Sequence, residues 1–285
     1  MILDPRICEL GEGAFWHPLR RQFFWFDILG KRLHSIEDGV ARSWGFPEMV
    51  SAAGWVERDI LLIAGERDLF LFDLESEEIE TLAELEADDP RTRSNDGRAD
   101  RLGGFWIGTM GKRGGDDPGR GSIWRWYRGE MRRLFAGLTI PNSICFSPDG
   151  RVAHFSDTLT HCIMRVALDG DGWPVGEAEV FIDLRAEAIL PDGAVVDAEG
   201  NLWNAQWGAG RVACYGPEGQ FLKAVPIGAM QTSCPAFGGD GLTTLICTTA
   251  HEGLDAAART ADPDAGKTFA VQGVGRGLPE PQVRL

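Results

Sequence analysis

Short apolar runs recur along the chain between glycine-rich or charged turns: FFWFD from Phe23, ILLIAG from Ile60, FWIGTM from Phe105, VAHFSD from Val152 and LWNAQW from Leu202. Such runs predict strands rather than helices. They also share a phrase, in which about eight residues lead to a turn and a second apolar run follows. Aligned on that phrase, six copies begin at Glu12, Ser51, Asn95, Asn142, Asp192 and Ser233. Consecutive copies lie about 40 to 50 residues apart, the length of a four-stranded propeller blade. Eight positions into each copy stand Arg20, Asp59, Gly103, Gly150, Gly200 and Gly241. Four of these six are glycine, as expected for a hairpin turn that needs positive φ. The pattern predicts an all-β chain: a six-bladed β-propeller with four-stranded antiparallel blades around a central channel, formed by residues 1–285 as one domain. Residues ahead of Glu12 are expected to pair with the last sheet and close the ring, leaving only short edges. The tail GLPEPQVRL is expected to be extended or frayed.

The first strand of each blade lines the channel, so residues in one repeat phase converge on the axis although they are far apart in sequence. That phase reads Glu12, Ser51, Asn95, Asn142, Asp192, Ser233, polar throughout, where a packing position would read Val, Ile or Leu. Oxygen donors without His or Cys suit a hard divalent cation, with calcium the leading choice and zinc, manganese, magnesium or iron as alternatives. The same residues could equally hydrogen-bond backbone amides around a water-filled tunnel, and spacing alone leaves both readings open. Arg93, two residues before Asn95, would bring a guanidinium toward the same axis. Trp16 and Trp207 are expected to border the channel mouth, and the other tryptophans to fill the blades.

The charge balance, 28 Lys plus Arg against 43 Asp plus Glu for a net −15, removes nucleic acid and anionic membranes as partners. The acidic run at 74–90 reads as a solvated outer strand and loop. Six scattered cysteines without a CxxC pair read as free, buried thiols, and the five histidines share no ligand spacing. DGDGW from Asp169 reads as a hairpin turn, because the twelfth position of a calcium loop would be Val180. No nucleophile elbow or phosphate-binding loop occurs. The N-terminus carries no export signal and no apolar run is long enough to span a bilayer, so a cytoplasmic protein is expected, and a closed ring is expected to be a monomer.

Five ordered motifs together resemble the gluconolactonase/regucalcin (senescence marker protein, SMP-30) family of six-bladed propellers: LGEGAFWHP, RSNDGRAD, IPNSICFSPDG, LPDGAVVDAEGNLWNAQWGAGRV and TSCPAFGGDGLTTLICTTA. The resemblance runs nearly end to end. It implies that Glu12, Asn142 and Asp192 hold a divalent cation, and that Arg93 and Asn95 hold substrate oxygens. Hydrolysis of a sugar lactone to the free aldonic acid is the activity it implies, with the cation polarising the carbonyl and Asp192 as general base. Rival readings are a metal-dependent ester or organophosphate hydrolase on the same ring, or a calcium-binding scaffold without turnover. The chain departs from the family pattern in three places. Gly13-Ala14 stands where a proline is usual, Ser143 replaces the glycine after the ligand asparagine, and the segment at 111–121 differs from animal members in a region where a lid would select substrate.

Overall fold

The computed structural model describes all 285 residues. Six four-stranded antiparallel sheets follow one another around a ring. Blade 1 comprises β2 (Gly11–His17), β3 (Gln22–Asp27), β4 (Arg32–Glu37) and β5 (Val40–Gly45); blade 2 comprises β6 (Ala52–Trp55), β7 (Ile60–Ala64), β8 (Asp68–Asp73) and β9 (Ile79–Glu84). Blade 3 holds β10 (Thr92–Ala99), β11 (Phe105–Gly111), β12 (Gly121–Tyr127) and β13 (Glu130–Leu138); blade 4 holds β14 (Pro141–Phe146), β15 (Val152–Asp157), β16 (Cys162–Leu168) and β17 (Pro174–Asp183). Blade 5 runs through β18 (Leu190–Val196), β19 (Leu202–Trp207), β20 (Arg211–Tyr215) and β21 (Phe221–Pro226). Blade 6 takes β22 (Thr232–Gly238), β23 (Thr244–Thr249) and β24 (Thr268–Gln272) from the C-terminal region, and its outer strand, β1 (Ile2–Asp4), from the N-terminus. That pairing, Ile2 opposite Phe269, closes the ring as expected.

Each sheet is sandwiched between two neighbours, so its middle strands are buried on both faces and read as unbroken apolar runs rather than alternating ones. All of β3 is buried, whereas the outer strands β5 and β9 are largely exposed. Apolar clusters fill the gaps between blades. Phe15, Phe24 and Phe26 meet Leu61, Ile63 and Phe72 between blades 1 and 2, and Trp106 meets Ile144 and Phe155 between blades 3 and 4. The four repeat-phase glycines sit in first-to-second-strand turns with φ of 95° (Gly103), 70° (Gly150), 85° (Gly200) and 68° (Gly241). All six cysteines are free and buried, and no helix is long and apolar enough to cross a membrane.

The tail is not frayed. Val283 is buried in the apolar cluster between blades 2 and 3, its N–H donating to Trp55 O at 2.9 Å, and Arg284 N donates to Gly103 O at 2.9 Å. Glu280 reaches Arg98 on β10 at 3.0 Å, where both side chains are almost fully buried. A proline-rich segment lacking a strand period is tied down by partners on two strands, Trp55 of β6 and Arg98 of β10, and by the turn at Gly103, which its own sequence does not reveal.

Candidate functional site

Five of the six inner strands break register just where the polar phase falls: between Glu12 and Phe15, Ser94 and Gly97, Asn142 and Cys145, Pro191 and Ala194, and Thr232 and Pro235. Such bulges re-aim side chains locally. Gly13 and Ser143, each just after a residue of that phase, have φ of 57° and 59°. Only glycine fits at position 13, since a Cβ there would run into the Ser51 carbonyl oxygen.

Glu12, Arg93, Asn95, Asn142 and Asp192 line one cavity of about 410 Å³ at an end of the channel. Each is buried. A hydrogen-bond relay sets their order. Arg93 Nη1 donates to Asn95 Oδ1 at 2.8 Å, Asn95 Nδ2 to Asn142 Oδ1 at 3.1 Å, Asn142 Nδ2 to Thr158 Oγ1 at 2.8 Å, and Thr158 Oγ1 to Pro191 O at 2.8 Å. Ser143 Oγ and Asn204 Nδ2 both donate to the Asp192 carbonyl, at 2.5 and 2.9 Å. The remaining residues of the phase do something else. Ser51 Oγ donates to Ser94 Oγ at 2.7 Å, and Ser233 Oγ to Gly11 O at 2.5 Å, so these two serines knit adjacent blades.

The electrostatics leave this constellation unbalanced. Asp192 Oδ1 is buried without any hydrogen-bond partner, and the only bond recorded for the Glu12 carboxyl is to its neighbour Gly13 N, at 3.3 Å. Burial, reinforced by Asp96, pushes Glu12 up to about 8; burial together with Glu12 pushes Asp192 well above the usual carboxylate range. Burial pulls the Arg93 guanidinium down while Glu252, Glu12 and Asp192 oppose it. Two buried carboxyls and an amide oxygen facing one cavity therefore fit a hard cation, because the single guanidinium of Arg93 makes no ion pair with either carboxyl and cannot match both charges.

Lys112, Arg113, Gly114 and Gly115, from the 111–121 segment where the sequence analysis placed a substrate-selecting lid, form part of the cavity wall; Thr158, Leu159 and Glu252, which it did not single out, line it as well. Trp207 lines the cavity as expected; Trp16 does not, and packs instead edge-on to Phe23 at 4.7 Å. It lies near the opposite end of β2 from Glu12, and a seven-residue strand carries its two ends to different faces of the ring. A further cluster, Cys8, Asp27 and His34, brings three ligand-type atoms within 4.8 Å of one another. It reads as a structural knot, because Asp27 already accepts from the backbone N–H groups of Leu10, Gly30 and Glu9, and Arg6 Nη1 lies 3.2 Å from His34 Nδ1. A depression of about 680 Å³ between blades 4 and 5 contains none of the axial residues.

Residues 10–251 match the family model described as SMP-30/Gluconolactonase/LRE-like region. The chain belongs to this family. Among its relatives, the L-arabinolactonase of Azospirillum brasilense is 37% identical, covering 95% of this chain and 91% of that protein. The 6-deoxy-6-sulfogluconolactonase of Pseudomonas putida is 33% identical over 95% and 94%. A crystal structure from Agrobacterium tumefaciens, described as the calcium-binding protein regucalcin, superposes with a TM-score of 0.97 at 42% identity, covering 100% of this chain and 97% of the other.

Proposed function

We propose that the chain hydrolyses a sugar lactone to the free aldonic acid. The observation that carries this reading is the unpartnered Asp192 Oδ1 beside Glu12 in a cavity that also presents Arg93 and Asn95. Its membership of a family whose named relatives include lactonases supports the same chemistry. Glu12, Asn142 and Asp192 are the residues that would hold a divalent cation, with calcium favoured for an all-oxygen donor set. Bound there, the cation would supply Lewis-acid polarisation of the lactone carbonyl and offset the oxyanion that develops.

The chain's own groups account for the remaining requirements. Arg93 keeps Nη2 free to donate to the lactone oxygens, and Asn95, whose amide hydrogens go to Asn142 Oδ1 and Pro141 O, holds that guanidinium in position through its own Oδ1. Asp192 Oδ1, a buried oxygen that no protein group engages, takes the proton of the attacking water as general base. Water oxygen bonds to the carbonyl carbon, the ring C–O bond breaks, the ring oxygen leaves as an alcohol on the proton that Asp192 returns, and the new acid ionises. The apolar wall of Trp207, Leu159 and Leu190 limits competing solvent.

Proton release on adding aldonolactones to EDTA-stripped protein, before and after each divalent cation is restored and corrected for spontaneous opening, tests the proposal. Cation-restored acid production is expected. Folded, cation-loaded protein that accelerates no lactone would overturn it and favour the calcium-binding reading, which shares the same ligands without turnover.

A further inference from the structure

One carboxylate on the cavity wall is left unpaired by the protein. Glu252 follows β23 on blade 6, and its backbone is fixed: its N–H donates to Glu9 O at 2.8 Å, and its carbonyl accepts from Gln231 Nε2 at 2.9 Å. The side chain, half-buried, lines the cavity and makes no hydrogen bond or ion pair with any protein group. The cations on the blade 3 side are already matched, Lys112 by Glu66 and Arg113 by Asp117 at 2.5 Å. An anionic ligand would therefore meet the unmatched carboxylate of Glu252, and the one wall cation without an ion pair, Arg93, already lies in the field of Glu252, Glu12 and Asp192. With a divalent cation in place, Glu12, Asp192 and Glu252 are balanced by that ion and Arg93, so the pocket suits an uncharged occupant.

Resting on the lactonase reading, we propose that Glu252 is a specificity-determining residue that restricts the substrate to uncharged, polyhydroxylated lactones. A carboxylate accepts hydrogen bonds from vicinal hydroxyls at little steric cost, while the indole of Trp207 offers an apolar face to the C–H side of the ring. The same charge disfavours lactones bearing a carboxylate, sulfonate or phosphate. It acts on the product as well. Hydrolysis converts a neutral ring into an aldonate, and Glu252 then repels the new charge, which speeds its departure.

The test compares the full-length wild type with Glu252→Gln, on a loop where the amide disturbs no structural contact. Three substrates are assayed with cation present: a neutral aldonolactone, a carboxylate-bearing aldarolactone and a lactone of the same ring size without hydroxyls. Losing the charged acceptor is expected to raise KM for the neutral sugar lactone about 10-fold with kcat held within about twofold. Discrimination against the aldarolactone is expected to shrink, inhibition by aldonate to strengthen, and the hydroxyl-free lactone to be unaffected. Unchanged KM and unchanged discrimination in active Glu252→Gln would overturn the assignment. Should the wild type open no lactone, the lactonase reading falls by itself, and calorimetric binding of a neutral cyclic polyol against the corresponding uronate decides on Glu252 separately. Preference for the polyol, lost in the variant, supports the assignment; equal binding overturns it.

Discussion

A buried carboxyl with an oxygen that bonds to nothing is costly, and at Asp192 the cost is increased by Glu12 nearby. Replacing it with the near-isosteric amide removes the repulsion and the proton acceptor together. Asp192→Asn is accordingly expected to lower kcat/KM by at least about 10³-fold while raising the melting temperature of cation-free protein, a trade of stability against function. A variant that retains turnover would remove Asp192 from the general-base role. Gly13 illustrates the opposite constraint. Its φ of 57° and the Ser51 carbonyl leave no room for a side chain, so Gly13→Ala is expected to cost at least about 2 kcal/mol by denaturant titration. Ser143 occupies an equally left-handed backbone but is tolerated, because its hydroxyl donates to Asp192 O and accepts from Ser156 Oγ at 3.0 Å. Ser143 thus holds a left-handed backbone that glycine would also adopt, and Asn142 beside it lines the cavity.

At the scale of the elements, four of the five bulged inner strands bring a phase residue to the cavity. β6 pairs with β7 in unbroken register, and the phase residue just before it, Ser51, joins blades instead of facing the cavity. β22 is bulged, yet its Ser233 is turned to the Gly11 carbonyl. Periodicity places a residue on the innermost strand, but a break in pairing is not enough to turn its side chain to the cavity; the partner that side chain finds decides. The C-terminal tail is the second element whose role is set by distant partners. Arg98 Nη1 bonds both Glu280 carboxylate oxygens, at 3.0 and 3.2 Å, and removal of that partner strands a buried guanidinium. Deleting residues 278–285 is expected to cost about 3–5 kcal/mol, part of which Arg98→Met should restore. A truncated protein as stable as the full chain would show the strap to be dispensable.

For the whole molecule, two sets of buried groups make stability depend on pH in opposite directions. Burial holds His17, His34 and His154 at about 4, below their ordinary 6.5, so they stay neutral in the fold. Below pH 6.5 the unfolded chain binds protons that the folded one refuses, and this contribution is lost as pH falls toward 4. Glu12, at about 8, and Asp96, at about 6, are raised mainly by burial, so the folded state binds their protons more tightly; that contribution is present below the ordinary carboxylate range and lost as pH rises through 8. A cation on Glu12 and Asp192 would replace the missing protons. The difference in melting temperature between cation-loaded and EDTA-stripped protein is therefore expected to widen from pH 6 to pH 8.5 in a calorimetric series. A difference independent of pH would argue against a cation at these carboxylates.

The repeat of short apolar runs and glycine turns already determined the six blades, because a sheet buried on both faces needs unbroken apolar strands and its hairpins need positive φ, both local properties. Glu12, Asn95, Asn142 and Asp192 were legible for the same reason: four residues in one repeat phase must approach one axis. Glu252 was not, since it lies in a loop outside the repeated phrase and reaches the cavity only when blade 6 closes beside blade 1. Lys112 and Arg113 look like free cations in sequence and are matched in space by Glu66 and Asp117. The tail offers no periodic signal, and its burial depends on Arg98, Trp55 and Gly103 meeting it from other parts of the chain. Strand content and blade number follow from interactions between near neighbours, whereas the charge balance of the cavity is a sum over groups that only the closed ring brings together.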